Sequence, residues 1–118
     1  MTDERLILVV DDDPGLLAQY IFYLEMMEMA FEAFAEIGNA IDRINEGGIT
    51  EVVTDGLEGG WREVVKAAQQ RGIEDIKLVT GTKSYEDEAT DMGIGFVDKG
   101  GALFSATQIF SEKQEGLT

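Results

Sequence analysis

Residues 6–10, LILVV, form a continuous apolar run rich in β-formers, and shorter or similar runs return at 31–35, 52–54, 76–80 and 95–98. Runs of this kind suit strands buried on both faces of a sheet. Between them the spacing turns helical. Asp13 stands at an N-cap position, Pro14 takes the first helical position, and Leu17, Ile21 and Leu24 recur at helical intervals until the pattern fades near Met29. A short helix is predicted over 39–45 with Ile41 and Ile44 inward, stopped by Gly47 and Gly48, and another over 61–71, closed by Gly72. The stretch 83–92 reads as a polar helix with little apolar face, and a last helix is expected over 102–113. Strands alternating with helices at such short intervals imply parallel βαβ units with helices on both faces of one sheet, an α/β fold.

At 118 residues the chain has the length of one domain, expected over 1–118 with a frayed tail at 112–118. No apolar stretch approaches the roughly 20 residues that span a bilayer. The acidic start MTDERLILVV does not read as a secretory signal, so a soluble cytoplasmic protein is expected. The absence of cysteine and histidine removes thiol chemistry, disulfides, and the commonest general base and transition-metal ligand. Oxygen chemistry remains, which suits hard cations such as Mg²⁺ or Ca²⁺. A formal charge of -15, from 24 acidic and 9 basic residues, would repel a phosphate backbone, so proteins or cations are the expected partners and nucleic acid is not.

Open parallel sheets bind their ligands beyond the carboxyl ends of the strands. Here the first run ends in Asp11, Asp12 and Asp13, the third in Asp55, the fourth in Thr80, and the fifth in Asp98 and Lys99. Clustered carboxylates repel by about 1 kcal/mol per pair at 4 Å in bulk water, and by about 4 at an effective dielectric near 20. A bound Mg²⁺ would offset that, as would protonation of one aspartate; alternatively, Asp13 merely caps a helix while Asp11 and Asp12 are solvated. With Asp55, Thr80 and Lys99 added, the set is the one that phosphoryl transfer to a carboxylate requires. Asp55 would be the nucleophile, Mg²⁺ would neutralise the transferred charge, and Lys99 with the Thr80 hydroxyl would hold the remaining phosphoryl oxygens. Gly81, beside Thr80, would leave room for the group.

The succession LILVVDDD, EVVTD, KLVTG and GFVDKG resembles the receiver domain of bacterial two-component response regulators, over nearly the whole chain. The resemblance implies a flavodoxin-like five-stranded sheet of order 2-1-3-4-5. It also implies that Asp11 and Asp12 position Mg²⁺, that Asp55 is phosphoacceptor and metal ligand, and that the Leu57 carbonyl completes the protein's share of the metal shell. Thr80 and Lys99 match the family's switch hydroxyl and lysine, and Phe96 its switch aromatic. A partner histidine kinase or phosphotransfer protein would supply the phosphoryl group, and a downstream protein would read the altered surface. The chain would be a monomer or weak dimer, and a regulator rather than an enzyme.

Two departures from the family pattern motivate a second reading. Gly56-Leu57-Glu58-Gly59-Gly60 replaces the usual Met-Pro after the phosphoacceptor and reads as a shorter, looser loop, and Gly100-Gly101 stands where a proline commonly follows the lysine. A phosphorylation-independent interaction module of receiver type is therefore the alternative. A third is a phosphatase of the haloacid-dehalogenase type, with Asp11-Asp12-Asp13 as its Asp-x-Asp, although Gly15 stands where that family expects Thr or Val. Met26, Met27 and Met29 with Phe22 and Tyr23 are expected at the core and its margin, an exposed part serving as an adaptable dimer or partner face. Trp61 could staple its helix or sit beside the acidic site.

Overall fold

A computed structural model of the chain describes residues 4–99, 109 and 110. Strand β1 (Ile7–Val10) occupies the middle of the sheet, and all four of its residues are fully buried. Around it lie β2 (Phe31–Phe34), β3 (Glu51–Asp55), β4 (Asp75–Thr80) and β5 (Gly95–Asp98), every pairing parallel, in the order β2-β1-β3-β4-β5. This is the flavodoxin-like topology that the sequence motifs imply.

Alternation along the strands divides the apolar side chains between two cores. Leu8, Val10, Val52, Ile76 and Leu78 face one layer, built on α2 (Ile37–Glu46) and α3 (Trp61–Gln70). Ile7, Val9, Val53 and Val79 face the other, against α1 (Pro14–Met26), Ile109 and Phe110. Each fully buried Val, Leu or Ile contributes about 1.5–3 kcal/mol, which is why the central run is almost purely aliphatic.

Helix α1 starts as the sequence predicts. Asp13 accepts hydrogen bonds from the Gly15 and Leu16 amides at 2.9 and 3.3 Å, and Pro14 opens the first turn. Its inward line differs from the expected one: Tyr20 and Leu24 are buried, whereas Leu17 and Ile21 are half-buried on either side. The i, i+4 pair Tyr20–Leu24 points at the sheet, and the tyrosine ring buries more surface there than Ile21 could. Helix α2 starts two residues earlier than predicted and adds Ala40 to Ile44 as its buried line, with Ile41 at the margin.

The polar stretch after β4 divides into a 3₁₀ turn, Lys83–Tyr85, and a short helix α4, Glu86–Met92, which buries Ala89. Glu86, Asp87 and Glu88 fall in its first turn, where negative charge favours the helix dipole. The helix predicted at 102–113 lies outside the described residues apart from Ile109 and Phe110, as do the 112–118 tail and Gly100-Gly101. Phe110 packs edge-on against Tyr20 at 5.5 Å and stacks on Tyr23 at 6.1 Å. Among the described residues no helix is long and apolar enough to cross a membrane.

Candidate functional site

Parallel pairing in register brings the ends of β1, β3, β4 and β5 to one rim. Val10 pairs with Thr54, Asp55 with Val79, and Thr80 with Asp98. Asp11 and Lys99, just past β1 and β5, and Asp55 and Thr80, the last residues of β3 and β4, therefore stand at the same rim. Asp11 is 1% exposed, Asp12 is exposed and Asp55 is half-buried, and one carboxylate oxygen of each lies within 4.8 Å of the others. Lys99 follows β5 and is pinned to the rim by its amide, which donates to the Thr80 carbonyl at 3.0 Å.

Asp11 and Asp55 each divide the work between their two carboxylate oxygens. Asp11 Oδ1 accepts the Asp13 amide at 2.9 Å and Asp55 Oδ2 accepts the Leu57 amide at 2.9 Å, so the backbone fixes both orientations. Their other oxygens share Lys99: the ammonium donates to Asp11 Oδ2 at 3.0 Å and to Asp55 Oδ1. Burial raises the Asp11 carboxyl above the usual range; the Asp13 amide and the Lys99 bond pull it back, and the Asp55 charge pushes it up again. Burial alone would lower the Lys99 ammonium, but its hydrogen bonds to Asp55 and Asp11 outweigh that, and its pKa stands above the ordinary lysine value.

The structure thus brings Asp11, Asp12, Asp55 and Lys99 together. Asp13 is engaged as the helix cap through Oδ1 and is exposed. Thr80 is buried beside them, its hydroxyl accepting the Thr82 amide at 3.2 Å. Phe96 is half-buried against the α2–α3 core. Leu57 contributes its amide to Asp55, while its carbonyl accepts the Gly60 amide at 2.9 Å.

The loop after Asp55 is tighter than its glycines suggest. Leu57–Gly59 is a 3₁₀ turn closed by Gly59 N–H to Gly56 O and Gly60 N–H to Leu57 O, both 2.9 Å. Leu57 and Glu58 take φ of 50° and 54°, a left-handed geometry that costs about 1–2 kcal/mol per residue. Two glycines are required by close approach. A Cβ on Gly56 would stand 2.8 Å from Thr80 Oγ1, and one on Gly60 would stand 2.2 Å from Ile37 Cδ1. Gly81, by contrast, faces open space: a Cβ there meets nothing within 4 Å.

Sequence reasoning missed the support around this loop. Trp61 is fully buried and packs on Tyr85 at 5.4 Å, so it belongs to the core. Arg62 lies 5.0 Å from the centroids of both rings and makes a two-pronged bond to Glu88, at 2.6 and 2.7 Å. At the opposite end of the sheet Glu51 is buried with Arg5 at 2.8 Å, and Lys77 reaches the Ile109 carbonyl at 2.8 Å. An acid at the head of a strand pattern such as EVVTD looks solvent-facing in sequence, and these partners are too distant in the chain to leave a periodic signal.

The three carboxylate oxygens fit a hard divalent cation. They lie within 4.8 Å of one another, and carboxylate oxygens are the donors that such cations take.

No protein-family model matches the chain, and no curated protein matches it by sequence. Solved structures do match in fold. A response regulator receiver protein from Sinorhizobium medicae aligns with a TM-score of 0.73 at 22% identity, covering 91% of this chain and 89% of its own. A CheY-like receiver domain protein from Methanospirillum hungatei aligns at 0.76 with 23% identity, covering 97% and 94%. A Burkholderia pseudomallei response regulator, solved with a phosphorylated aspartic acid, calcium ion and citrate, aligns at 0.76 with 15% identity, covering 96% of this chain and 69% of that one. At these identities the likeness establishes the receiver fold.

Proposed function

We propose that the chain is a receiver-type phosphoacceptor of a two-component phosphorelay, a cytoplasmic signalling regulator rather than an enzyme acting on a separate substrate. The observation that carries this reading is the Lys99 ammonium held between Asp11 and Asp55, with Asp12 adjacent, at the ends of three parallel strands. The receiver fold of the solved structures supports it.

Asp55 is the nucleophile. One of its oxygens attacks the phosphorus of a phosphohistidine on a partner kinase or phosphotransfer protein; the phosphorus–nitrogen bond breaks, its electron pair leaves with the partner imidazole, and an acyl phosphate forms on Asp55. The donor is external, because this chain has no histidine. Asp55 Oδ2 stays oriented by the Leu57 amide, while Lys99 exchanges its bond to Oδ1 for one to the transferred group. Asp11, Asp12 and Asp55, with the Leu57 carbonyl, would hold Mg²⁺, which when bound supplies charge neutralisation on the phosphoryl oxygens. The Thr80 hydroxyl takes another of those oxygens, and Phe96 responds to its movement, altering the face that a downstream protein reads.

Intact-mass measurement after incubation with acetyl phosphate and Mg²⁺ tests the reading. One added phosphoryl group is expected on the wild type and none on Asp55→Asn; equal labelling of both overturns it. One observation favours the docking-module alternative: the Lys99 ammonium already engages Asp55 Oδ1 together with Asp11 Oδ2, so the proposed acceptor oxygen is occupied by an ion pair. Wild type that binds Mg²⁺ yet takes no phosphoryl group would select that alternative.

A further inference from the structure

The turn that aims the Leu57 amide at Asp55 is strained, so its geometry needs support from outside. Leu57, Glu58 and Gly59 take φ of 50°, 54° and 100° in succession, and only the third is a glycine. Two side chains beyond the turn meet it. The Tyr85 ring lies against it, so that a Cβ on Gly56 would meet Cε2 at 3.6 Å and one on Gly59 would meet the hydroxyl at 4.0 Å. Arg62 Nη1 donates to the Gly59 carbonyl at 3.3 Å.

All three guanidinium nitrogens of Arg62 are committed. Nε and Nη2 donate to the Glu88 carboxylate at 2.6 and 2.7 Å, Nη1 reaches Gly59, and the group lies 5.0 Å from the Trp61 and Tyr85 ring centroids. Helix stability does not explain this residue, because Arg62 stands in the first turn of α3, where the dipole disfavours a cation. Nor does the ion pair alone, since both side chains are about two-fifths exposed and solvent weakens even a two-pronged bond there. What the fork achieves is geometric: a planar group anchored on Glu88 along one edge presents its remaining nitrogen in a fixed direction. We propose, resting on the phosphoacceptor reading, that Arg62 is a positioning residue for Asp55. Anchored on Glu88, it holds the Gly59 carbonyl, and through the turn it keeps the Leu57 amide on Asp55 Oδ2, so that Oδ1 stays turned towards Lys99.

Arg62→Ala and Arg62→Lys separate this role from a merely structural one. Lysine keeps the charge beside Glu88 and the rings, but a single ammonium cannot grip the carboxylate as a fork and also direct a bond to Gly59. In the isotopically labelled full chain, with no phosphodonor present, the Leu57 amide is expected to move upfield and to exchange faster with solvent in both variants. The Asp13 amide, which makes the equivalent bond to Asp11 Oδ1, should stay at its wild-type position. With acetyl phosphate and Mg²⁺, acyl phosphate formation followed by intact mass should slow about tenfold or more in both, while the thermal melt of Arg62→Lys stays near the wild type. A Leu57 amide that keeps its place in both variants overturns the proposal, as does Arg62→Lys with the wild-type rate. So do equal shifts at Leu57 and Asp13, which would mean a general loosening of the fold. Failure of the wild type to take a phosphoryl group overturns the phosphoacceptor reading instead; the amide comparison involves no donor and still decides whether Arg62 holds the turn.

Discussion

Lys99 Nζ lies 3.0 Å from Asp11 Oδ2 although the two residues are 88 positions apart in the chain, and the same ammonium reaches Asp55. The bond joins two strand ends that are not neighbours in the sheet, since β3 and β4 stand between β1 and β5. It therefore braces the rim from one side to the other.

Removing that brace leaves two carboxylates facing each other in a partly buried space. Lys99→Ala should cost about 2 kcal/mol of folding stability at neutral pH, read by urea unfolding. The ammonium's pKa is raised, so its contribution is fully present below the unfolded lysine value and fades only as pH rises through the higher folded one. Added MgCl₂ should stabilise the variant more than the wild type, because a cation then takes over the neutralisation. A variant as stable as wild type, or one indifferent to Mg²⁺, contradicts this account of the rim.

Glu51 gives a pH signature of the opposite sense to ordinary acid denaturation. Burial raises its carboxyl pKa; the Arg5 bond at 2.8 Å lowers it in part, and the Asp75 charge adds to the rise. The folded state therefore binds this proton more tightly than the unfolded chain, and stability from this group grows as pH falls from neutral towards the folded pKa. Glu51→Gln lacks the linkage. The stability of wild type relative to Glu51→Gln should increase as pH falls from neutral towards the ordinary glutamate value of 4.5; a constant difference across that interval is the contrary result.

Gly56 is held by Thr80. Gly56→Ala forces a Cβ to within 2.8 Å of the Thr80 hydroxyl and should cost about 1–3 kcal/mol. Thr80→Ala in the same background removes that oxygen and should recover part of the loss, which a double-mutant cycle on chemical denaturation would measure. Additive effects of the two substitutions would show that the pair does not press together.

The Tyr20 hydroxyl is buried and has no hydrogen-bond partner among the described residues. Asp11, Asp55 and Asp13 reinforce the rise that burial imposes on its pKa, so it stays neutral. Tyr20→Phe keeps the ring packed on Phe110 while deleting the unsatisfied oxygen. A gain of about 1 kcal/mol or a neutral change is expected in thermal melts; a loss greater than that would mean the oxygen has a partner.

The parts legible in sequence are those where one residue type answers to one local need. The run 6–10 could scarcely be anything but a central strand, and Asp13-Pro14 states where α1 begins. The gathering of Asp11, Asp12, Asp55 and Lys99 was readable because parallel sheets align their carboxyl ends. What stayed hidden depends on pairs far apart in the chain. The clip of Arg62 on Glu88, the pairing of buried Glu51 with Arg5, and the closeness of Thr80 to Gly56, which leaves no room for a Cβ, are tertiary meetings with no counterpart in local spacing. The turn at Leu57 was misjudged for a different reason: glycines on both sides suggest slack, whereas the strained residues are Leu57 and Glu58.

Arg62, wedged against two aromatic rings and gripped by a carboxylate from α4, fastens the start of α3 to the segment that follows β4. The stretch behind Asp55 and the stretch behind Thr80 are thereby riveted to each other at one point beside the rim.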